Sequence, residues 1–295
     1  MGIASSAAAV PELASDLVLR DLEVKGAEGQ LKARLYQAGP VAAKRDTLVV
    51  FFHGGGFTCG SIDEADDFLS RLVSADPTQV ALSPAYTLAT ERPFPAAAED
   101  AHAVLVWAKK NKAKLGWSGK RLVVAGIEAG ANLAAVVSLM ARDRGGPALT
   151  GQVLIMPMLD PGLSTCSMRE VPVCPDKAAL VDKVAGTCAA GYRGYLPNAA
   201  DRTHPYASPL QSSRLKNLPP ALILSAEDDP LRDEAEQYGA KLIKCGITTT
   251  VRRLPPPPLE QPGGRNDCAC YFALNEIAAF IRGADGTEAP AVINN

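Results

Sequence analysis

The stretch Arg121–Met140, RLVVAGIEAGANLAAVVSLM, decides how the rest of the chain is read. Leu122–Ala125 is a short apolar run with two valines, the composition of a buried strand. Gly126-Ile127-Glu128-Ala129-Gly130 follows, and Ala131–Met140 reads as a largely apolar helix. Glycines on both sides of the turn let strand and helix backbones crowd together there. The residue between them is Glu128, so a carboxylate stands at the tip of a strand–turn–helix.

Outward from this stretch, strands and helices alternate. Leu31–Tyr36 reads as a strand, and Thr47–Phe52 as one buried on both faces that runs into His53-Gly54-Gly55-Gly56. Ile62–Ala75 has a helical pattern, Gln79–Ser83 is a strand, and Ala96–Lys114 is a long helix carrying Trp107. After the central stretch come strands at Gln152–Pro157, Ala221–Ser225 and Ile247–Arg253, with helices at Leu231–Cys245 and Tyr271–Arg282. This rhythm predicts an α/β fold, a mainly parallel central sheet flanked by helices. Leu159–Leu215 breaks it: the segment is rich in Pro, Gly, Ser and Cys, with a helical patch at Lys177–Val184. It is too long for a bare connection, which predicts a cap or lid over the sheet. The expected organisation is an N-terminal segment 1–30 joined to the cap, with a helix around Pro11–Leu17. The main domain then covers 31–282, its cap inserted at about 159–215, and a frayed tail occupies 283–295.

Composition excludes several classes. Across 295 residues the net charge is −2, and no basic run suggests nucleic acid. Seven cysteines show neither paired CxxC motifs nor metal-ligand spacing, so no metal or cofactor is expected and reduced thiols in a cytoplasm fit. The N-terminal MGIASSAAAV lacks the basic region of a signal peptide, and its nominal myristoylation pattern (Gly2, Ser6) is too common to weigh. No apolar run reaches the ~20 residues that span a bilayer, so no membrane partner is expected.

The remaining motifs are specific. His53–Phe57 reads HGGGF and is followed by Gly60-Ser61; Tyr86–Asp100 reads YTLATERPFPAAAED; His204–Leu210 reads HPYASPL; Leu218–Tyr238 reads LPPALILSAEDDPLRDEAEQY. In this order they resemble the hormone-sensitive-lipase-like branch of the α/β-hydrolases, which includes bacterial esterases and plant carboxylesterases. The match runs from about residue 30 to 282. Thr87 and Thr90 replace the arginine and proline of that family's pattern. The resemblance implies an α/β-hydrolase fold with a small-molecule pocket for an acyl or carbonyl ligand, and it is compatible with a homodimer. It implies an oxyanion hole from the backbone N–H groups of Gly55, Gly56 and Ala129, and a triad acid at Asp229. The family's turn reads G-x-S-x-G with a nucleophilic serine; here Glu128 stands at that position. The family's histidine falls at Leu259, followed by Glu260-Gln261, in a loop taken over by Pro255–Pro258. The chain's histidines are His53, His102 and His204.

Serine attack requires a histidine to take the proton and an acid to orient that histidine. A chain with Glu128 and Leu259 at those positions is not expected to be an efficient serine esterase. Four readings stay open. Glu128 could turn its carboxylate into the oxyanion hole, leaving a pseudo-hydrolase or a ligand-binding protein. The plant gibberellin receptors, which resemble this fold and have lost the triad histidine, are a precedent. Glu128 could instead act as general base or acid beside the hole, in a lyase, dehydratase or isomerase. It could be a nucleophile, though turnover would then need a base for water. Or hydrolysis could be unconventional. Of the other candidates, His53 is expected to brace the glycine loop, and His102 to pack or lie at the surface. His204 is expected to be structural and Cys59 unreactive, while Asp229 could pair with Arg232 and be structural.

Overall fold

A computed structural model describes residues 11–40, 45–170, 175–255 and 264–283. Eight strands form one sheet: β1 Val18–Lys25, β2 Gln30–Gln37, β3 Arg45–Phe52, β4 Gln79–Pro84, β5 Trp117–Ile127, β6 Gly151–Ile155, β7 Ala221–Ala226 and β8 Thr249–Leu254. Their spatial order is β1-β2-β4-β3-β5-β6-β7-β8. β1 pairs with β2, and β2 with β4, in antiparallel fashion; every other pair is parallel. The helices are α1 Asp66–Ala75, α2 Ala96–Lys110, α3 Ala129–Asp143, α4 Pro175–Tyr195, α5 Arg232–Lys244 and α6 Gly264–Gly283. This is the expected mainly parallel sheet with helices on both faces.

The period of two along each central strand sorts its side chains between two cores. Leu48, Val50 and Phe52 of β3, with Leu122 and Val124 of β5, pack with α2, α3 and α5. Val49 and Phe51, with Val123, Ala125 and Ile127, pack on the other face with α1 and α6. A strand buried on both faces must be apolar throughout, which is why TLVVFF and RLVVAGI look alike.

Local departures from expectation have physical reasons. No helix forms around Pro11–Leu17; only a turn, closed by the Leu17 N–H on the Ala14 carbonyl, is present. Val18–Lys25, expected outside the main domain, is instead the edge strand of its sheet. Its residues are mostly exposed, so no apolar alternation marks it in the sequence. The helical patch at Lys177–Val184 extends to the whole of α4. The tail beyond Gly283, and Pro256–Leu259 with Glu260-Gln261, lie outside the described residues.

The sheet positions the site through its order. The chain leaves β3 to one side, to β4, and then returns to place β5 on β3's other side. Helices after these strands therefore leave on opposite faces, and a crevice opens at their carboxyl ends. Register sets those ends level: Phe52 lies beside Gly126, and Gly126 beside Leu154.

One helix position offers a direct test of the packing. Gly186 sits within α4, and a methyl group built there would meet nothing within 4 Å. Gly186→Ala should raise stability by about 0.5–1 kcal/mol, because alanine loses less backbone entropy in a helix. Urea denaturation of the two proteins reads the difference; an unchanged or lower midpoint would contradict the placement of this residue.

Candidate active site

Glu128 occupies the turn between β5 and α3 with φ 51° and ψ −113°, a strained backbone for a residue with a side chain. Its flanking glycines are needed for close approach. A methyl on Gly126 would run into the backbone of Gly130, and one on Gly130 into the carbonyls of Phe52 and His53. The Glu128 peptide is held from three sides. Its N–H donates to the Ile155 carbonyl at 3.0 Å, and its carbonyl accepts from Asn132 N–H at 3.1 Å and Met158 N–H at 3.2 Å. Asn132, fully buried, donates its amide to the carbonyls of Met158 and Ala207 at 2.7 and 3.1 Å.

The side chain of Glu128 turns toward the HGGG loop. Its Oε2 accepts from the Gly55 N–H at 3.4 Å, a long hydrogen bond. Gly55 and Gly56 adopt φ of 97° and 58°, which glycine reaches without steric cost. Each peptide plane in this loop is fixed through its carbonyl. The Gly54 carbonyl accepts from the Tyr86 hydroxyl at 3.1 Å and from His53 Nδ1–H at 2.8 Å. The Gly55 carbonyl accepts from Thr58 and Cys59 N–H at 3.2 and 3.1 Å and from the Cys59 thiol at 3.2 Å. Ala129 is the first residue of α3, so its N–H has no partner within the helix.

The three histidines are placed elsewhere. His53 is buried, stacks on Tyr86 at 4.3 Å, and braces the glycine loop. Burial pushes its pKa down, so the neutral ring donates through Nδ1. His102 lies on α2 beside Glu99 and Arg144, and burial lowers its pKa as well. His204 accepts from Tyr206 N–H at 3.1 Å and faces Phe94 at 5.2 Å. Asp229 is buried in the loop between β7 and α5, where Oδ1 accepts from Leu231 N–H at 2.8 Å. The expected pairing of Asp229 with Arg232 does not form. The Arg232 guanidinium goes to Glu170 at 2.8 Å, to Asp233 at 3.1 Å and to the Glu227 carbonyl at 2.9 Å. Cys59 is exposed and bonded back to its own loop. Among the described residues no group of three or more His, Cys, Asp or Glu is arranged to hold a metal. No helix among them is long and apolar enough to cross a membrane.

Glu234 was not legible as a site residue. It lies within the helical pattern of DEAEQY, where a glutamate ordinarily faces solvent. In the fold it is buried, and its Oε2 accepts from Leu159 and Asp160 N–H at 2.8 and 2.6 Å. It therefore ties α5, which follows the Asp229 loop, to the segment whose Met158 holds the Glu128 carbonyl. Its Oε1 has no hydrogen-bond partner. Burial, with the charges of Asp160 and Asp229 nearby, pushes its pKa well above the ordinary 4.5 despite the two amides.

This has a measurable consequence. As pH rises above 4.5 the unfolded chain releases the Glu234 proton while the folded chain keeps it, so this group makes stability fall with pH until its folded pKa is passed. The slope from one such group is at most about 1.4 kcal/mol per pH unit. Glu234→Gln should flatten the decline that sets in above pH 4.5, as read by urea denaturation. Equal slopes in the two proteins would show that Glu234 is ionised in the fold.

Comparison with known proteins agrees with this geometry. Residues 49–257 match the family described as alpha/beta hydrolase fold. An arylesterase of Saccharolobus solfataricus is 36% identical over 235 residues, 80% of this chain and 74% of the relative. The carboxylic ester hydrolase LipN of Mycobacterium tuberculosis is 38% identical over 240 residues, 79% of this chain and 61% of the relative. Among solved structures, an esterase of Pyrobaculum calidifontis superposes with a TM-score of 0.79 at 36% identity, covering 90% of this chain and 85% of that one. With the sheet order, the glycine-flanked turn and the HGGG loop brought beside it, the chain belongs to the α/β-hydrolase family, in the esterase and lipase-like branch.

Proposed function

We propose that this protein is a pseudo-hydrolase that binds a small acyl or carbonyl ligand, with Glu128 taking the place that a substrate oxygen holds in an active relative. The observation that carries this reading is the Glu128 Oε2 on the Gly55 N–H at 3.4 Å. An oxyanion hole is a set of aimed amide donors, and a carboxylate oxygen satisfies the same donors as a developing alkoxide. The start of α3 adds a favourable partial charge for an anion at that point. A chain that supplies its own anion has no need of one from a substrate.

The chemistry of ester cleavage argues in the same direction. Attack needs a nucleophile with a removable proton, a base to accept it and an acid to orient the base. Asp229, which the resemblance makes the acid, is buried, but His53 and His204 make their hydrogen bonds and ring contacts with other groups, and His102 lies beside Glu99 and Arg144. The amide donors alone leave a residual rate enhancement of roughly 10³–10⁴ in model hydrolases stripped of their triad. The relatives' names, arylesterase and carboxylic ester hydrolase, support an acyl-bearing ligand for this chain.

Steady-state hydrolysis of p-nitrophenyl acetate tests the reading. Wild type, Glu128→Ser and Leu259→His should all stay near background, since the wild type lacks two partners of the relay and each single variant lacks one. Glu128→Ser combined with Leu259→His should recover partial kcat/KM. A placement error of about 1 Å in the new histidine would cost ~10²-fold, which limits the gain. Brisk wild-type hydrolysis lost in Glu128→Gln would overturn the proposal and make the carboxylate catalytic. Proton exchange at the α-carbon of a bound carbonyl compound, lost in the same variant, would overturn it in favour of a lyase or isomerase.

A further inference from the structure

The outer side of the HGGG loop rests on α4, and the contact is made by glycines. A methyl group on Gly191 would sit well inside van der Waals contact of the Gly56 carbonyl oxygen and within 3.1 Å of the Gly56 carbonyl carbon. Backbone cannot yield there as a flexible side chain would. One helical turn on, a methyl on Gly194 would lie 3.0 Å from Cγ2 of Thr58. From the loop side, a methyl on Gly56 would reach Gly191 Cα at 3.7 Å and the Thr187 carbonyl at 3.9 Å. Aromatic packing locks the same contact. Phe57 stacks on Tyr195 at 3.9 Å and 5°, and lies against Tyr192 at 5.8 Å. Phe94 N–H donates to the Tyr195 carbonyl at 2.9 Å, and Ala89 N–H to the Phe57 carbonyl at 2.8 Å. Phe57, Tyr192 and Tyr195 are all fully buried.

We propose that Gly191 and Gly194 are positioning residues: by letting α4 lie directly on the loop, they set the direction of the Gly56 amide, and hence which ligand oxygen that amide donates to. The Gly54 and Gly55 carbonyls are fixed by Tyr86, His53, Thr58 and Cys59, while the Gly56 carbonyl is held by the steric wall of Gly191. The Gly56 N–H shares its peptide plane with the Gly55 carbonyl and with Gly56 Cα, which a methyl on Gly191 would crowd at 3.2 Å, so displacing Gly56 Cα turns that plane and its amide. Gly186, five residues before Gly191 on the same helix, faces open space, which makes the glycines at the loop a distinct feature of α4. As a statement about ligand selection the proposal rests on the ligand-binding reading above; as a statement about amide direction it does not.

The test uses Glu128→Ala, in which the loop amides are offered to added ligand, and compares butyrate with uncharged 1-butanol by calorimetry. Adding Gly191→Ala should weaken butyrate at least tenfold and 1-butanol less than twofold, while adding Gly186→Ala should change neither. Gly194→Ala should weaken butyrate by a smaller factor, and Thr58→Ser, which deletes the methyl in its way, should restore it. This pair also serves if Gly191→Ala does not fold. Unchanged butyrate affinity, or equal loss for both ligands, would overturn the proposal. If Glu128→Ala takes up no butyrate, the ligand-binding reading fails, and ¹⁵N-glycine-labelled protein with Glu128 intact decides this one. The Gly56 amide signal should then move in Gly191→Ala or Gly194→Ala and stay in place in Gly186→Ala; an unmoved signal would overturn it.

Discussion

The construction of the site depends on how closely α3 is pressed against the ends of β3 and β5. Gly130 lies against the carbonyls of Phe52 and His53, and Gly126 against Gly130, with no room for a methyl at either position. That approach forces the intervening turn into a φ of 51° at Glu128. It also brings the start of α3 beside the loop that leaves β3. Everything else at the site follows from this adjacency: the Glu128 carboxylate meets Gly55 because two strand ends and one helix start have been brought to the same place. The strain at residue 128 is held by the three hydrogen bonds on its peptide and by the core beneath it.

A second constraint joins the two halves of the crevice. Met158 holds the Glu128 carbonyl, the next two amides bind Glu234, and Glu234 lies on the helix that follows Asp229. A buried carboxyl with one oxygen engaged and the other without a partner is costly to ionise, which pushes its pKa above the ordinary carboxylate range. The connection between the two sides is thus made by a single buried side chain that accepts two consecutive amides.

Much of this was legible in residues. The β3 and β5 runs are apolar without interruption because both sheet faces are covered, and their glycines mark where backbone must approach backbone. The turn at Glu128, the HGGG loop and the Asp229 loop could be located from motif order alone. β1 could not, because an edge strand with mostly exposed side chains leaves no hydrophobic alternation. Glu234 could not either, since nothing in a helical pattern tells a buried glutamate from a solvated one. The supposed Asp229–Arg232 pair misled for a related reason. Nearness in sequence said nothing of Glu170, which arrives from 62 residues away to take the guanidinium.

The antiparallel edge of the sheet has a consequence for how the chain assembles. β1 and β2 form a local hairpin across Gly26 and Gly29, but β2's other neighbour is β4, which is made only after β3 and α1. The hairpin can close early and must then wait for its seat. β3 needs partners on both sides, and the one that completes the crevice, β5, is synthesised about seventy residues later. Pairings of that separation are slow relative to local ones, because the loop-closure entropy must be met before the contact forms. During synthesis the apolar strand β3 therefore spends an interval with one edge uncovered, and the helix that finally fixes Glu128 arrives together with the strand that covers it.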